Sequence, residues 1–333
     1  MKLYLGVDGG QSGTTAVIGD ETGRVIGTGE AGPCNHAGAA EGRAKLERAV
    51  RGSLAEASAA AGLAAEGLHF AAACFGMSGG PDDKRKILER IVQAGRWVVT
   101  HDGDTALAGA MAGGPGIIAI GGTGSISFGR NADRMARAGG WGYIYGDEGG
   151  AFDIVRQALR AVLRMDEGWG PGTALRETLL AATESKSAND MLHRFYTPDW
   201  PRSRVATLAR LVDAAANEND EIASQILNGA AQELAMLAGA VRAQLWPDGG
   251  AVEVAYIGGV FESERLRERF RSLVELTDGC VCIAPRYGPA EGALLEAYRA
   301  DGLRPTLLAA KGNHGVDLRG TAGGEVAGDQ RDP

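Results

Sequence analysis

Two glycine-rich turns have the composition of phosphate-binding loops. One spans residues 8–14 and begins with Asp8, and the other spans residues 121–125. In both turns the glycines let backbone N–H groups approach phosphate oxygens, and hydroxyl side chains add further donors. The carboxylate of Asp8 suits a metal ion that accompanies a phosphate. Each turn alone could be an ordinary hairpin turn, but two of them in the two halves of one chain favour a polyphosphate ligand.

The first turn matches neither of two common nucleotide-binding motifs. The chain contains no Gly-Lys pair, which excludes a Walker loop. No helix is predicted directly after the glycines, which excludes a dinucleotide-binding fingerprint. A nucleotide would therefore be bound by another class of fold.

A pair of carboxylates follows the predicted strand 97–99 and precedes a helix. Asp102 and Asp104 would lie at the carboxyl end of that strand, where α/β sheets place their ligands. A carboxylate there could act as a general base toward a hydroxyl group, whereas the structural alternative is a helix N-cap. We favour Asp102 as the base and Asp104 as the cap or a supporting residue.

The segment 139–151 has the composition of a loop around a small polar ligand. It combines six glycines and three aromatic residues with two adjacent carboxylates, Asp147 and Glu148. Carboxylates commonly accept hydrogen bonds from sugar hydroxyls. The alternative is that both carboxylates cap the helix predicted over 147–164.

Two shorter segments could add polar contacts to a ligand. Asn35 and His36 lie in a loop after the third predicted strand, and Ser78, Gly79 and Gly80 follow the predicted strand 68–75. Either segment could equally be an ordinary loop.

To come together, these residues must be positioned by strands that end at the turns. Helices must then cover the sheet that the strands form. The apolar periodicity predicts strands over 3–7, 14–19, 24–29, 68–75, 97–99, 116–120, 125–129, 252–257 and 280–284. It predicts helices over 41–63, 82–94, 105–111, 147–164, 172–183, 188–195, 202–216, 220–245, 262–276 and 290–300. The unit of strand, glycine turn and strand occurs near residue 8 and again near residue 122, which indicates an imperfect internal duplication. The predicted fold is therefore α/β, with two lobes and a cleft between them.

Composition excludes several classes of protein. The chain has 333 residues with 34 Lys and Arg against 42 Asp and Glu, so its formal net charge is −8, which argues against a nucleic-acid partner. The longest uncharged stretch, 105–129, is broken by eight glycines and one proline, so we expect no membrane partner. Four cysteines and a start without a secretory signal predict a cytoplasmic setting.

Several of these motifs occur together in one known order. They are Asp8-Gly9-Gly10, Asn35-His36, Ser78-Gly79-Gly80, Asp102, Gly121-Gly122-Thr123-Gly124-Ser125, Gly140-Trp141-Gly142, Gly146-Asp147-Glu148-Gly149 and Ile257-Gly258-Gly259-Val260. In this order they resemble the N-acetylglucosamine kinases of the BadF/BadG/BcrA/BcrD ATPase family, within the actin/Hsp70/sugar-kinase superfamily. The resemblance covers about residues 3–300, and the Trp-Gly to Gly-Asp-Glu-Gly block is its most specific part.

The resemblance implies two actin-like, ribonuclease H-like lobes and ATP-dependent phosphorylation of an amino sugar with Mg²⁺. The leading reaction is the conversion of N-acetylglucosamine to its 6-phosphate. Residues 1–114 and 290–305 would form the sugar and phosphate lobe, and residues 115–289 the nucleotide-binding lobe. Residues 306–333 are polar, glycine-rich and without periodicity, so we expect a disordered tail. Members of the family often form homodimers, and no sequence feature decides the oligomeric state of this chain.

The resemblance also implies a role for each motif. Asp8 would orient Mg²⁺ through water, and Asp102 would activate the sugar's 6-hydroxyl. The residues expected to bind ATP are Gly10, Gln11, Ser12, Thr14, Gly122, Thr123, Gly124, Gly258 and Gly259. Besides Asp102, those expected to bind the sugar are Asn35, His36, Ser78, Gly79, Gly80, Gly124, Ser125 and Asp147.

One position departs from the family pattern. In the animal kinases a polar Asn follows the Gly-Thr-Gly-Ser turn, and here Ile126 stands at that position. Because an apolar side chain cannot discriminate by hydrogen bonding, glucosamine, N-acetylmuramic acid or another hexose stays open as the substrate.

Two readings of other classes compete with the kinase. An ATPase activator of 2-hydroxyacyl-CoA dehydratases shares the family name, but it needs cysteines placed for an iron–sulfur cluster. Here Cys280 and Cys282 would alternate in one strand, and Cys34 and Cys74 lie in other segments. The other reading is a non-catalytic, sugar-binding regulator or an actin-like assembly protein, against which the retained Asp102 argues.

Overall fold

The structure is a computed structural model that describes residues 1–10, 13–34, 40–64, 66–78, 84–304 and 309–310. The chain divides into two compact units. The first comprises Met1–Ile118, Phe128–Met135 and Ile283–Pro333. The second comprises Ala119–Ser127 and Ala136–Cys282.

A mixed sheet of six strands forms the centre of the first unit, in the order β11-β3-β2-β1-β4-β5. Its strands are β1 (Leu3–Gly9), β2 (Thr14–Asp20), β3 (Arg24–Ala31), β4 (His69–Met77), β5 (Gln93–His101) and β11 (Ala309–Ala310). β1 pairs antiparallel with β2, and β2 pairs antiparallel with β3. β4 runs parallel to both β1 and β5, so these three strands end at the same edge of the sheet.

Helices cover both faces of this sheet. They are α1 (Ala40–Ala61), α2 (Arg85–Leu88), α3 (Asp102–Ala110) and α11 (Pro289–Ala300). Leu5 and Val7 of β1 share a core cluster with the α1 side chains, whereas Tyr4 belongs to the cluster of α11. Because side chains alternate along a strand, β1 is apolar on both faces, as expected for a strand covered on both sides.

Two glycines let α11 approach its neighbours closely. A Cβ atom on Gly6 of β1 would lie 2.2 Å from the backbone nitrogen of Leu294. A Cβ atom on Gly292 of α11 would lie 1.9 Å from the carbonyl oxygen of Thr105 in α3. No larger residue fits at either position without moving backbone, so these glycines set how closely α11 approaches β1 and α3.

A second sheet has the strand order β10-β9-β6-β7-β8. Its strands are β6 (Gly116–Gly121), β7 (Ser125–Asn131), β8 (Arg134–Gly139), β9 (Val252–Ile257) and β10 (Cys280–Ile283). The second unit also contains α4 (Ala151–Asp166), α5 (Leu175–Thr183), α6 (Ala188–Arg194), α7 (Arg202–Ala206), α8 (Ala209–Asn217), α9 (Glu221–Leu245), a short 3₁₀ helix (Gly259–Glu262) and α10 (Glu264–Glu275). Side-chain caps begin three of these helices: Ser187 for α6, Asp220 for α9 and Ser263 for α10.

Some predicted elements differ from the structure. Of the helix predicted over 82–94, residues 82 and 83 lie outside the described residues, the described part contains only α2, and Gln93 and Ala94 already belong to β5. The helix predicted over 202–216 is divided into α7 and α8, because the residues between them form tighter i to i+3 hydrogen bonds. β8 was not predicted, since none of its residues is buried, half of them are exposed, and they show no apolar alternation.

Of the tail predicted as disordered, only Ala309–Ala310 belong to the described residues, where they pair in parallel with β3. The remainder of 306–333 lies outside them. Within the described part of the chain, no helix combines the length and the apolar character needed to cross a bilayer.

Candidate active site

The carboxyl ends of β1, β4 and β5 bring three of the predicted site residues to one edge of the first sheet. Asp8 lies opposite Gly76, and Met77 lies opposite His101. Asp8 therefore neighbours the ends of β4 and β5, which lead into Ser78 and Asp102. This edge is where parallel α/β sheets place their ligands.

Asp102 is the first residue of α3, so this helix begins three residues earlier than predicted. The Oδ1 atom of Asp102 accepts the N–H of Gly103 at 2.9 Å. Burial raises the pKa of Asp102, while the Gly103 N–H and the positive charges of His101 and Lys84 oppose that shift. Asp102 is therefore a shielded carboxyl group with donors around it, as a general base requires.

Asp104 has a different environment from Asp102. Its Oδ2 atom accepts a hydrogen bond from the hydroxyl of Thr100, the residue two positions before the helix. Asp104 thus ties the end of β5 to the first turn of α3.

Asp8 has the most perturbed carboxyl group at this edge. Burial raises its pKa to about 8, and the charges of Asp102 and Glu291 add to the shift, while the hydroxyl of Thr105 opposes it. Its Oδ1 atom is buried and has no hydrogen-bond partner among the described residues. A buried carboxylate oxygen without a donor is costly unless a ligand satisfies it. The Oδ1 atom therefore fits a divalent cation.

The donor set at this edge fits Mg²⁺ in particular. Among the described residues, no three His, Cys, Asp or Glu side chains are arranged to enclose a metal ion. Mg²⁺ is usually held by one or two carboxylates together with water and substrate phosphates, rather than by a cage of side chains. Asp8 is the carboxylate that would hold it here.

Two further charged residues at this edge were not predicted. Glu291, in the first turn of α11, is partly buried near Asp8, and its carboxylate accepts the N–H of Gly288. Lys84 is only 3% exposed, and its ammonium group donates to the carbonyl oxygen of Ser78. Glu291 has the sequence signature of a helix cap, and Lys84 lies in a charged segment, so neither pattern alone indicates a site.

The first glycine turn is described only in part. The N–H of Gly10 donates to the carbonyl of Gly13 at 2.9 Å, and the N–H of Ser78 donates to the carbonyl of Gly9 at 3.0 Å. Thr14 is buried, and its hydroxyl donates to the carbonyl of Gly32 at 3.0 Å. The hydroxyl of Thr14 therefore bonds to the segment that follows β3. The predicted site residues Gln11, Ser12, Asn35, His36, Gly79 and Gly80 lie outside the described residues.

The second glycine turn joins β6 to β7 and lies against the start of α4. The N–H of Gly122 donates to the carbonyl of Gly124 at 3.0 Å. The N–H groups of Ala151 and Phe152 donate to the carbonyls of Gly122 and Thr123. These bonds hold the turn against the first residues of α4. They involve backbone atoms only and do not use the side chain of Thr123.

Asp147 lies directly against this turn. A Cβ atom on Gly124 would come within 2.4 Å of the Asp147 carboxylate, so only glycine fits there. The backbone N–H groups of Ser125 and Gly142 donate to this carboxylate, and Arg202 lies near it. Burial nevertheless raises the pKa of Asp147.

Asp147 and Glu148 do not cap α4. The helix begins at Ala151 after Gly150, and not at residue 147 as predicted. Asp147 is only 5% exposed and has φ of +63°, in the left-handed region that non-glycine residues rarely adopt. Because the helix begins only after Gly150, the capping alternative is wrong for both residues.

Two more of the predicted site residues, Gly258 and Gly259, lie in the second unit. Gly258 follows β9 with φ of +104°, and a Cβ atom there would lie 2.4 Å from the carbonyl oxygen of Gly121. Gly259 begins the 3₁₀ helix and has open space beside it. Ile126 is 1% exposed and packs against Gly140, so it contributes to the core beneath the 139–151 loop.

Comparison with curated proteins gives two kinases of amino sugars. The chain is 32% identical to an N-acetylmuramic acid/N-acetylglucosamine kinase of Clostridium acetobutylicum over 283 residues, which are 83% of this chain and 91% of that protein. It is 27% identical to an N-acetyl-D-glucosamine kinase of Dictyostelium discoideum over 330 residues, covering 90% of this chain and 98% of that protein.

A solved structure supports the same assignment. The crystal structure of a candidate N-acetylglucosamine kinase from Chromobacterium violaceum superposes with a TM-score of 0.71 at 29% identity, covering 89% of this chain and 98% of that one. This similarity confirms the predicted actin-like α/β fold class. The sequence profile of the BadF/BadG/BcrA/BcrD ATPase family matches residues 5–297. The chain therefore belongs to the BadF/BadG/BcrA/BcrD ATPase family.

Proposed function

We propose that this protein is an ATP-dependent kinase that phosphorylates the 6-hydroxyl of an amino sugar, with N-acetylglucosamine as the leading substrate. The observation that carries the proposal is the pairing of Asp102 with Asp8 at one sheet edge. Asp102 is a shielded carboxyl group that could act as a base. Asp8 has a buried carboxylate oxygen that could bind a cation. The amino-sugar kinases among its relatives supply the class of acceptor.

In this mechanism Asp102 accepts the proton of the attacking hydroxyl as that oxygen bonds to the γ-phosphorus of ATP, while the bond from this phosphorus to the β,γ-bridging oxygen breaks and ADP leaves. Phosphoryl transfer needs little covalent assistance, so positioning and charge stabilisation account for most of the rate. The base must be ionised before it can act. The Gly103 N–H and the charges of Lys84 and His101 favour that ionised form against the effect of burial.

The cation and the phosphates would be held by different groups. Mg²⁺, when bound, would neutralise charge on the β- and γ-phosphates of ATP. Asp8 would hold it from the end of β1, and the two glycine turns, which contain Gly10 and Gly122–Gly124, would let phosphate oxygens approach the backbone closely. Gly258 and Gly259 would lie against the adenosine, where any side chain would take up space.

The sugar would be held by groups that accept and donate hydrogen bonds. Asp147 offers a buried carboxylate for sugar hydroxyls, and its two backbone donors fix its position. Ser78 and Ser125 would add hydroxyl groups, and Asn35 and His36 would come from the segment that follows β3. Because an ATP-consuming kinase works where ATP is abundant, we place the protein in the cytoplasm.

The burial of the cysteines favours a kinase over the dehydratase activator. Cys34, Cys74, Cys280 and Cys282 are all buried as free thiols. Burial raises the pKa of Cys282 to about 11 and also raises the pKa of Cys34 and Cys74. A cluster shared between subunits would need exposed thiolates, and this set offers none.

The test is ADP release from Mg-ATP against a panel of N-acetylglucosamine, glucosamine, N-acetylmuramic acid, N-acetylmannosamine and glucose. Asp102→Asn is expected to lower kcat by about 10²- to 10⁴-fold, the usual contribution of a general base. Asp104→Asn, in the same helical turn, is the matched control and should retain most of the turnover. Absence of turnover with every sugar, from folded protein that binds ATP, would contradict the proposed function.

A further inference from the structure

Two side chains from the first two turns of α4 contact the 139–151 loop at separate points. Asp153 is 7% exposed, and its Oδ2 atom accepts the N–H of Gly149 at 3.1 Å. Arg156 donates from its Nη1 atom to the carbonyl oxygen of Tyr143 at 3.0 Å. The helix therefore holds the loop at one residue before Asp147 and at one residue after it.

The same two side chains are also joined to each other. The Nε and Nη2 atoms of Arg156 both donate to Oδ1 of Asp153, at 3.0 and 2.6 Å. Gln157 donates to this Oδ1 atom as well, at 3.2 Å. Arg156 thus uses different N–H groups for Asp153 and for Tyr143, which a planar guanidinium allows and a single lysine nitrogen on a flexible stem does not match. Asp153 and Arg156 form one hydrogen-bonded link between the two contact points in the loop.

The two contact points lie beside the groups that fix Asp147. Tyr143 directly follows Gly142, whose N–H donates to the Asp147 carboxylate. Gly149 lies two residues after Asp147, which has φ of +63°. A left-handed backbone is unfavourable for a residue with a Cβ atom, and it persists only where the surrounding structure holds it. The link from α4 supplies such a hold on both sides of Asp147.

We propose that Asp153 and Arg156 are positioning residues for the sugar site, which keep the carboxylate of Asp147 where it can bind sugar hydroxyls. They act through the backbone of Gly149 and Tyr143, and neither is assigned a contact with the substrate. This inference rests on the proposed function, in which Asp147 binds the sugar. Loss of the link is therefore expected to weaken the binding of the sugar.

A purely structural role for the pair predicts a different pattern. An acidic residue in the first turn and an ion pair three residues apart both stabilise a helix, so Asp153 and Arg156 would then serve only the start of α4. Disturbing that start would also disturb the second glycine turn, because the N–H groups of Ala151 and Phe152 hold it. A structural role therefore weakens the binding of ATP and of the sugar together, whereas a positioning role weakens the binding of the sugar alone.

The test measures KM for N-acetylglucosamine and KM for ATP with the full chain and Mg²⁺. Arg156→Met is expected to raise KM for the sugar roughly 10- to 100-fold, the range of one hydrogen bond to a charged group, and to leave KM for ATP unchanged. Arg156→Lys should recover only part of the loss, because it keeps the charge without the planar set of donors. Arg160→Met, one turn further along α4, removes an exposed arginine that donates to Gln157 at 3.4 Å. It is the matched control and should change neither KM.

A double variant tests whether the two residues act as one link. Asp153→Asn keeps an oxygen for the N–H of Gly149 and removes the charge that holds Arg156. If the link is one unit, the combination of Asp153→Asn with Arg156→Met should raise KM for the sugar no more than Arg156→Met alone. Additive increases would overturn the single link. Because the double variant leaves no unpaired buried carboxylate, it replaces Arg156→Met if that variant does not fold.

Amide hydrogen exchange tests the link without relying on catalysis. The N–H groups of Gly142 and Gly149 bond to the side chains of Asp147 and Asp153, and in Arg156→Met both should exchange about 10-fold faster. Unchanged exchange with an unchanged KM for the sugar would overturn the proposal, and an equal rise of both KM values would assign the pair to the structure of α4. Faster exchange in a protein whose wild type phosphorylates no sugar would show that the link holds the loop and that the proposed function is the part that fails.

Discussion

Asp8, at the end of β1, and Asp102, at the start of α3, lie close enough for the charge of Asp102 to raise the pKa of Asp8. The strand pairing explains this proximity. β1 and β5 both run parallel to β4, with Asp8 opposite Gly76 and Gly76 opposite Thr100. Two carboxylates at one edge repel each other when no cation is bound. A cation that binds near them would relieve this repulsion and be attracted by both charges.

The first prediction concerns the effect of pH on the metal-free protein. The pKa of Asp8 rises from 3.8 to about 8, so the folded state binds this proton more tightly than the unfolded state. Its contribution to stability is therefore complete below about pH 4 and is lost as the pH rises through about 8. Asp8→Asn removes this titrating group, so between pH 5 and pH 9 the metal-free variant should lose on the order of 4 kcal/mol less stability than the wild type.

Calorimetry in the presence of a chelator at pH 5, 7 and 9 measures this effect. Asp133→Asn, in the exposed turn between β7 and β8, is the control and should follow the wild type. If Asp8→Asn and the wild type lose stability equally between pH 5 and 9, Asp8 is not the group responsible.

The second prediction concerns Glu291, whose charge also raises the pKa of Asp8. Glu291→Gln keeps a side-chain oxygen to accept the N–H of Gly288 and removes the charge. The pKa of Asp8 should therefore fall, and metal-free protein should lose stability at a lower pH than the wild type. Titration of ¹³C-labelled aspartate carboxyl groups by NMR, with Asp8→Asn to assign the signal, measures the change. An unchanged midpoint for Asp8 would show that the two carboxyl groups do not interact.

Local sequence was enough to predict the strand ends and the turns. Asp8 and Asp102 each follow an apolar run that is complete within a few residues, so the end of the strand can be read from the residues themselves. The same holds for the second glycine turn and for Gly258 after β9. The fold class follows from these repeated units, and the family's solved relative confirms it.

The remaining features depend on contacts between distant segments. Asp147 was predicted to begin a helix, because a carboxylate before a helical pattern is normally a cap. Its left-handed backbone and its bonds to Ser125 and Gly142 exist only once β7 and the 139–151 loop meet. Glu291 lies near Asp8 only because Gly6 and Gly292, which have no side chains, allow α11 to pack closely against its neighbours. No periodicity in the sequence predicts this close packing.

The third prediction concerns Lys84, the buried cation near Asp102. Its charge lowers the pKa of Asp102 against the effect of burial. Lys84→Met should therefore raise that pKa, so that the base is protonated over a wider range and the acidic limb of the kcat/KM profile moves to higher pH. At neutral pH we expect kcat to fall about 10- to 100-fold, as for the loss of one electrostatic group in an active site.

A pH–rate profile between pH 5 and 9 separates this effect from a loss of folded protein. Lys86→Met, which removes an exposed lysine of α2, is the control and should leave the profile in place. A Lys84→Met enzyme with reduced activity but an unmoved acidic limb would show that Lys84 supports only the structure around Ser78.

The last prediction concerns the contact between Gly124 and Asp147. In Gly124→Ala, the new Cβ atom would lie 2.4 Å from one carboxylate oxygen of Asp147 and 2.9 Å from the other, so the carboxylate must move. We expect this overpacking to destabilise the protein by roughly 1–3 kcal/mol and to raise KM for the sugar, because Asp147 would leave the N–H groups of Ser125 and Gly142. Gly172→Ala, at an open position of the second unit with no atom within 4 Å of its Cβ, is the matched control. Thermal unfolding and steady-state kinetics on both variants measure the two effects, and a Gly124→Ala enzyme with an unchanged KM for the sugar would show that the position of Asp147 does not control sugar binding.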